Sequence, residues 1–167
     1  MILITGPEST GKSTLASQLS EELGHIMIPE YGRIYLEKNG PEYSYKDIEI
    51  MALHHMEQVK AADNSSLILD TYLLNYKIWS EYKYGKVSDK IIELLKECRF
   101  DLILLMEPDI EWEEDSLRES PTDRDNLFDI YIEELDKLEW SYSIVQGIGD
   151  IRRQNAINII KSENVYN

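Results

Sequence analysis

Positive charge is scarce in this 167-residue chain: 17 Lys and Arg stand against 32 Asp and Glu, for a formal net charge of −15. Such a field repels phosphate backbones, so DNA and RNA are disfavoured as partners, whereas a cationic small molecule is compatible. Acidity is also an ordinary solubility device, and that reading accounts for most of the excess. Cysteine is nearly absent. Cys98 alone excludes an intramolecular disulfide and fits a reducing, cytoplasmic compartment. Its spacing from Ile91 and Leu94 makes it a core-facing helix residue rather than a nucleophile. With one cysteine and three histidines, a structural zinc site is disfavoured. No apolar run approaches the roughly 20 residues that span a bilayer, so no membrane partner is expected. A charged, cleavable leader is also missing, and the chain is expected to enter its first strand directly. Without repeats, low-complexity tracts or linkers, residues 1–167 read as a single domain.

What is present is an alternation of apolar strands with helical patterns, the mark of an α/β fold with a parallel sheet. Strands are expected at Met1–Thr5, His25–Pro29, Ser66–Asp70, Asp101–Met106 and Tyr142–Gln146. The first helix carries Leu15, Ala16, Leu19 and Leu23 on one face and stops near Gly24. A second opens at Ser44 with Asp47 three residues on, a capping box, and its stripe includes Ile48, Met51, Ala52 and His55. On that stripe His55 reads as a core histidine. Further helices are expected over Thr71–Lys83, Ser88–Arg99, the segment bearing Leu127, Phe128, Tyr131, Leu135 and Leu138, and Asp150–Ser162. Residues 107–124 read as a charged, proline-punctuated connection.

Between the first strand and the first helix lies Gly6-Pro7-Glu8-Ser9-Thr10-Gly11-Lys12-Ser13, a complete G-x-x-x-x-G-K-S phosphate loop in its required setting. Glycines let successive N–H groups turn inward as an anion-binding nest, and the helix adds its positive N-terminal dipole. Residues Gly6, Glu8, Ser9, Thr10, Gly11, Lys12, Ser13 and Thr14 are therefore expected to bind ATP. Lys12 would lie on the β- and γ-phosphates, and the Ser13 hydroxyl would ligate Mg²⁺. The expected fold is the three-layer, kinase-type P-loop NTPase with five parallel strands, the Asp70 strand lying beside the first.

Several P-loop classes are excluded by what is missing. No N-K-x-D or D-x-x-G motif reads guanine or senses a γ-phosphate. The third strand ends Asp70-Thr71, without the water-polarising Glu of hydrolysing ATPases. A kinase needs a base for the acceptor hydroxyl and cations over the transferring phosphoryl group. Glu30-Tyr31-Gly32-Arg33, at a strand's carboxyl end, offers a base in Glu30 and a phosphate partner in Arg33. Asp70 can ligate Mg²⁺ or act as the base, and both roles stay open. A lid over residues 107–124 would bring Arg118 and Arg124 to the phosphoryl group. The aromatic residues Tyr72, Tyr76, Trp79, Tyr82 and Tyr84 form either a packed helix face or a wall for a flat cationic ring. Residues 147–153, after the last strand, are the candidate adenine contacts.

Together, GPESTGKSTL, PEYGR, LDT before an aromatic helix and W-E-x-D-x-L-R-E resemble the NadR-type nicotinamide riboside kinase family from Met1 to about Ala156. The resemblance implies ATP-dependent phosphorylation of the riboside's 5′-hydroxyl to give nicotinamide mononucleotide. It implies that Glu30, Tyr31, Arg33 and Asp70 face substrate and metal, with Arg118 and Arg124 supplied by the lid; Trp79 of the aromatic segment is the further candidate substrate contact. In many bacteria that kinase is fused to an adenylyltransferase, but no H-x-G-H or T-x-G-H motif occurs here, since Glu22 precedes Leu23-Gly24-His25. The chain is therefore not expected to make NAD by itself. Glu111 and Ser116 stand in the lid where prolines are expected in many relatives. Another nucleoside or nucleoside-monophosphate kinase, and a nucleotide-dependent switch, are the alternative readings. Oligomeric state is not legible.

Overall fold

The computed structural model describes residues 1–62, 66–115 and 122–163. Five strands, β1 (Ile2–Thr5), β2 (Ile26–Ile28), β3 (Leu67–Asp70), β4 (Leu102–Met106) and β5 (Ser143–Val145), alternate with helices along the chain. They form one parallel sheet in the order β2-β3-β1-β4-β5, with Leu3 beside both Leu69 and Ile103. The Asp70 strand does lie next to the first, as expected. No described helix is long and apolar enough to cross a membrane.

Period-two alternation sorts the strand side chains between two apolar layers. Ile2, Ile4, Ile68, Leu104 and Met106 pack beneath α1 (Lys12–Leu23) and α7 (Asp150–Ser162) through Leu15, Leu19, Ala156 and Ile160. Leu3, Leu69, Ile103 and Leu105 face the opposite layer. That layer is built from α2 (Tyr31–Asn39), α3 (Tyr45–Ala61), α4 (Leu73–Tyr84), α5 (Asp89–Glu97) and α6 (Arg124–Lys137). A strand covered on both faces is apolar throughout, which is why β4 reads as an unbroken hydrophobic run.

The helix starts obey local chemistry. At Ser44 the Asp47 carboxylate accepts from the Ser44 N–H at 2.7 Å and from its hydroxyl at 2.6 Å. Ser88 caps α5 by accepting the Lys90 N–H at 3.1 Å. Helix α4 begins at Leu73 rather than Thr71, because Thr71, at φ +67°, still donates its N–H to the Ile4 carbonyl at 2.9 Å. Helix α2 was not legible in the sequence. It is nine residues long, buries only Gly32 and Leu36, and carries a glycine in its first turn. Cys98 is buried, donates to the Leu94 carbonyl, and is pushed up to about 12 by that burial, so it is no nucleophile.

Gly6 has φ +133°, and a Cβ placed on it would lie 2.8 Å from the Met106 carbonyl oxygen at the end of β4. Gly24, at φ +67°, would meet nothing within 4 Å. Gly6→Ala is therefore expected to lower the melting temperature by on the order of 5–10 °C, against a few degrees at most for Gly24→Ala. Thermal unfolding of the two variants checks the contrast.

Candidate functional site

Residues 6–11 leave β1 and turn back into α1. The loop braces itself: the Thr10 hydroxyl donates to the Pro7 carbonyl at 2.8 Å, and the Lys12 ammonium donates to the same oxygen at 2.6 Å. Residues Gly6 to Thr14 form one wall of a cavity of about 330 Å³. Glu30 and Arg33 of α2, Asn75, Ile78, Trp79 and Tyr82 of α4, and Leu127 and Tyr131 of α6 form the others. Ile110 and Glu113 close the mouth, where the Glu113 N–H donates to the Ser9 hydroxyl at 3.0 Å.

Most of the expected residues meet here. Glu30 sits half-buried at the start of α2, and its carboxyl pKa is raised to about 7. Burial is the main cause; Asp70 and Glu8 push the same way, and Lys12 and Arg33 oppose it. Asp70, 2% exposed at the end of β3, lies behind the loop rather than in the cavity wall. Burial raises its pKa, partly offset by a hydrogen bond with the Ser13 side chain and by Lys12 and Arg33. Its Oδ1 is buried with no hydrogen-bond partner among the described residues. A carboxylate oxygen with unmet acceptor capacity, next to a hydroxyl, is a hard-oxygen donor set that fits Mg²⁺.

Arginines frame the mouth. Arg33 pairs with Asp115 at 2.7 Å and with Glu37 at 3.1 Å. Arg124 is the first residue of α6, not part of the preceding connection as expected, and donates to the Ser9 carbonyl at 3.0 Å. Its guanidinium lies 5.8 Å from the Trp112 ring centre. Arg118 and Ser116 lie outside the described residues.

Tyr31, like Asp70, is an expected ligand that stays out of the cavity wall. Tyr31 packs its ring 5.4 Å from His54. A helix rotates about 100° per residue, so Glu30 and Tyr31 face different ways. The aromatic segment divides between the core and the cavity. Tyr72 and Tyr76 are core residues, 6% and 1% exposed, while Trp79 and Tyr82 line the cavity. Trp79 is held edge-on to Tyr43, 4.9 Å between ring centres, and donates its indole N–H to the Tyr43 hydroxyl.

Sequence reasoning missed Asn75 and Tyr131. The Thr5 hydroxyl at the end of β1 donates to the Asn75 Oδ1 at 2.8 Å and is also bonded to Tyr131, joining three elements at the cavity floor. Arg152 was only part of a broad guess. Its guanidinium, 4% exposed, donates to the carbonyls of Thr10, Gly147 and Glu107 and pairs with Asp109. It thereby ties the phosphate loop to the segments after β4 and β5. His55 is fully buried, as expected, and burial lowers its pKa to about 4, so it is neutral.

A family model described as an AAA domain matches residues 1–153. The trifunctional NAD biosynthesis/regulator protein NadR of Salmonella typhimurium strain LT2 is 31% identical over 143 residues, which cover 80% of this chain and 35% of that protein. The chain thus spans about a third of that relative's length. The crystal structure of NadR in complex with NR superimposes with a TM-score of 0.76 at 22% identity, over 99% of this chain and 52% of that one. Deoxyadenosine kinase from M. mycoides, with dCMP and dCDP bound, gives 0.68 at 18% identity, over 96% and 98%. These likenesses show the kinase-type P-loop fold.

Glu30 binds its proton more tightly in the folded chain than in the unfolded one, where its value is near 4.5. Its folded-state penalty is thus full above pH 7 and fades as pH falls from 7 towards 4.5. Glu30→Gln removes the charge and is expected to stabilise the ligand-free protein by on the order of 1–3 kcal/mol at pH 8. That gain should shrink towards zero near pH 5. Melting curves of both proteins at the two pH values check this, and His55 titrates alike in both and cancels.

Proposed function

From its membership of the AAA domain family and its kinase-type P-loop fold, we propose that the chain is an ATP-dependent kinase that phosphorylates nicotinamide riboside to nicotinamide mononucleotide. The observation that carries this reading is that Glu30 and Lys12 line the same cavity, one suited to receive a proton and the other to grip phosphate. The loop N–H groups and the start of α1 bind the triphosphate, and Lys12 exchanges the Pro7 carbonyl for the β- and γ-phosphates. Ser13 and Asp70 would hold the Mg²⁺ that comes with ATP, which neutralises phosphate charge when bound. Its burial and its bond to Ser13 favour Asp70 as metal ligand over base.

Glu30 is then the base. With a pKa near 7 it is about half ionised at neutral pH, poised to take the acceptor's proton. The acceptor oxygen forms a bond to the γ-phosphorus as the bond to the β–γ bridging oxygen breaks. ADP leaves, and Glu30 passes its proton to solvent. Arg33, Arg124 and Arg118 are the cations assigned to the transferring group. Trp79 and Tyr82 offer ring faces, and Glu8, Glu30 and Glu113 offer negative charge, both favourable to a pyridinium. For adenine, the segment clamped by Arg152 presents Ile148 and Ile151, 64% and 66% exposed, as apolar contacts.

Incubation with ATP, Mg²⁺ and a panel of ribosides, deoxyribonucleosides and nucleoside monophosphates tests the reaction. Nicotinamide riboside is expected to turn over fastest, and absence of product from every acceptor would overturn the proposal. Glu30→Gln should lower kcat by roughly 10²–10⁴-fold while leaving ATP affinity nearly unchanged. In the unaltered protein kcat/KM for the acceptor should fall below about pH 7, and that acid limb should vanish in the variant.

A further inference from the structure

Glu30 is the N-cap residue of α2, yet its side chain makes no capping bond and no other hydrogen bond among the described residues. A carboxylate at an N-cap is normally consumed by the N–H of the second or third helical residue, two of the helix's orphan donors. Here the second is Gly32, and its N–H is already taken: it donates to the Tyr76 hydroxyl at 2.9 Å.

Tyr76 reaches this point from α4, 1% exposed, with its hydroxyl 3.1 Å from the His55 Nδ1 of α3. The hydroxyl thus accepts from Gly32 on one side and is hydrogen-bonded to the His55 imidazole on the other, which fixes its position between α2 and α3. Gly32 makes the approach possible. A Cβ there would lie 3.3 Å from Trp79, tighter than most packed side chains, and in contact with Tyr76 at 3.4 Å.

We propose that Tyr76, oriented by His55, replaces Glu30 as the cap of α2 and so leaves the Glu30 carboxylate to face the acceptor. This rests on the reading of Glu30 as general base. Tyr76 and His55 touch neither phosphate nor acceptor; they are positioning residues that act through Glu30. The arrangement also seats Trp79, one turn along α4 from Tyr76, against the same glycine. Both the base and the aromatic wall are thus set by one buried contact.

The test is a double-mutant cycle with Tyr76→Phe and Glu30→Ala, read by steady-state kinetics and by amide hydrogen exchange at Gly32. Without the Tyr76 hydroxyl, Glu30 is expected to turn back onto the Gly32 N–H. Tyr76→Phe should then lower kcat at least tenfold, as expected when a reacting group is misplaced, with the KM for ATP unchanged. On the Glu30→Ala background the same change should alter kcat less than about twofold. Gly32 should stay protected in each single variant, because the remaining group caps it, and exchange rapidly only in the double variant. An equal kcat loss on both backgrounds, or rapid Gly32 exchange in Tyr76→Phe alone, would overturn the proposal. If Glu30→Ala leaves kcat intact, the base assignment fails instead, and Gly32 exchange alone decides the cap.

Discussion

One buried guanidinium holds the ends of three sheet strands in register. Arg152 donates to Thr10 in the loop after β1, to Glu107 after β4 and to Gly147 after β5, with Asp109 balancing its charge. Burying a charge is costly unless it is paired and its donors are used, and here the planar fork meets carbonyls that would otherwise be orphaned. The consequence is mechanical. The phosphate loop is a strained segment, with Ser9 at φ +54° and Gly6 against the Met106 backbone, and a strained loop keeps its shape only where its surroundings over-determine it. Arg152 from below, Gly6 from the side, and Glu113 and Arg124 from the mouth do so.

The rigid loop sets the electrostatics of the cavity it borders. Lys12 is the cation within the loop, whereas Glu8, Glu30 and Asp70 bring negative charge to the same region. Burial raises both Glu30 and Asp70, and at Glu30 the negative charge of Asp70 and Glu8 adds to the rise. Such a cluster costs stability, and under the proposed function a cation and a polyphosphate would divide its charge between them. Stability is given up where function is expected, and the two packed apolar layers on either side of the sheet supply it elsewhere.

Helix α4 shows how one element serves both purposes. Its residues 73 and 76 point into the core, and residues 75, 79 and 82 border the cavity, a division made by helical periodicity. Lys77, on a third side, meets the buried Glu134 of α6 and fixes that helix against α4. The cavity walls on α4 and α6 are therefore not independent. The Asn75–Thr5–Tyr131 group at their base depends on the same spacing.

Features carried by neighbouring residues were legible in the amino-acid order alone: the phosphate loop between strand and helix, the Ser44–Asp47 capping box, the buried run of β4, and Glu30 and Asp70 at strand ends. Each is dictated by backbone sterics, local hydrogen bonding or burial period, which act over a few residues. Tertiary structure alone decided which residues from distant segments meet. It placed Tyr131 and Asn75 on the cavity floor, turned Tyr31 away, split the aromatic segment, and set Arg152 beneath Thr10, 142 positions earlier in the chain. It also made a stable helix of the weak pattern after Glu30, since Tyr76 caps it and the core receives Leu36. Those contacts come from the docking of whole elements, and no short-range preference of the participating residues encodes which partner they will find.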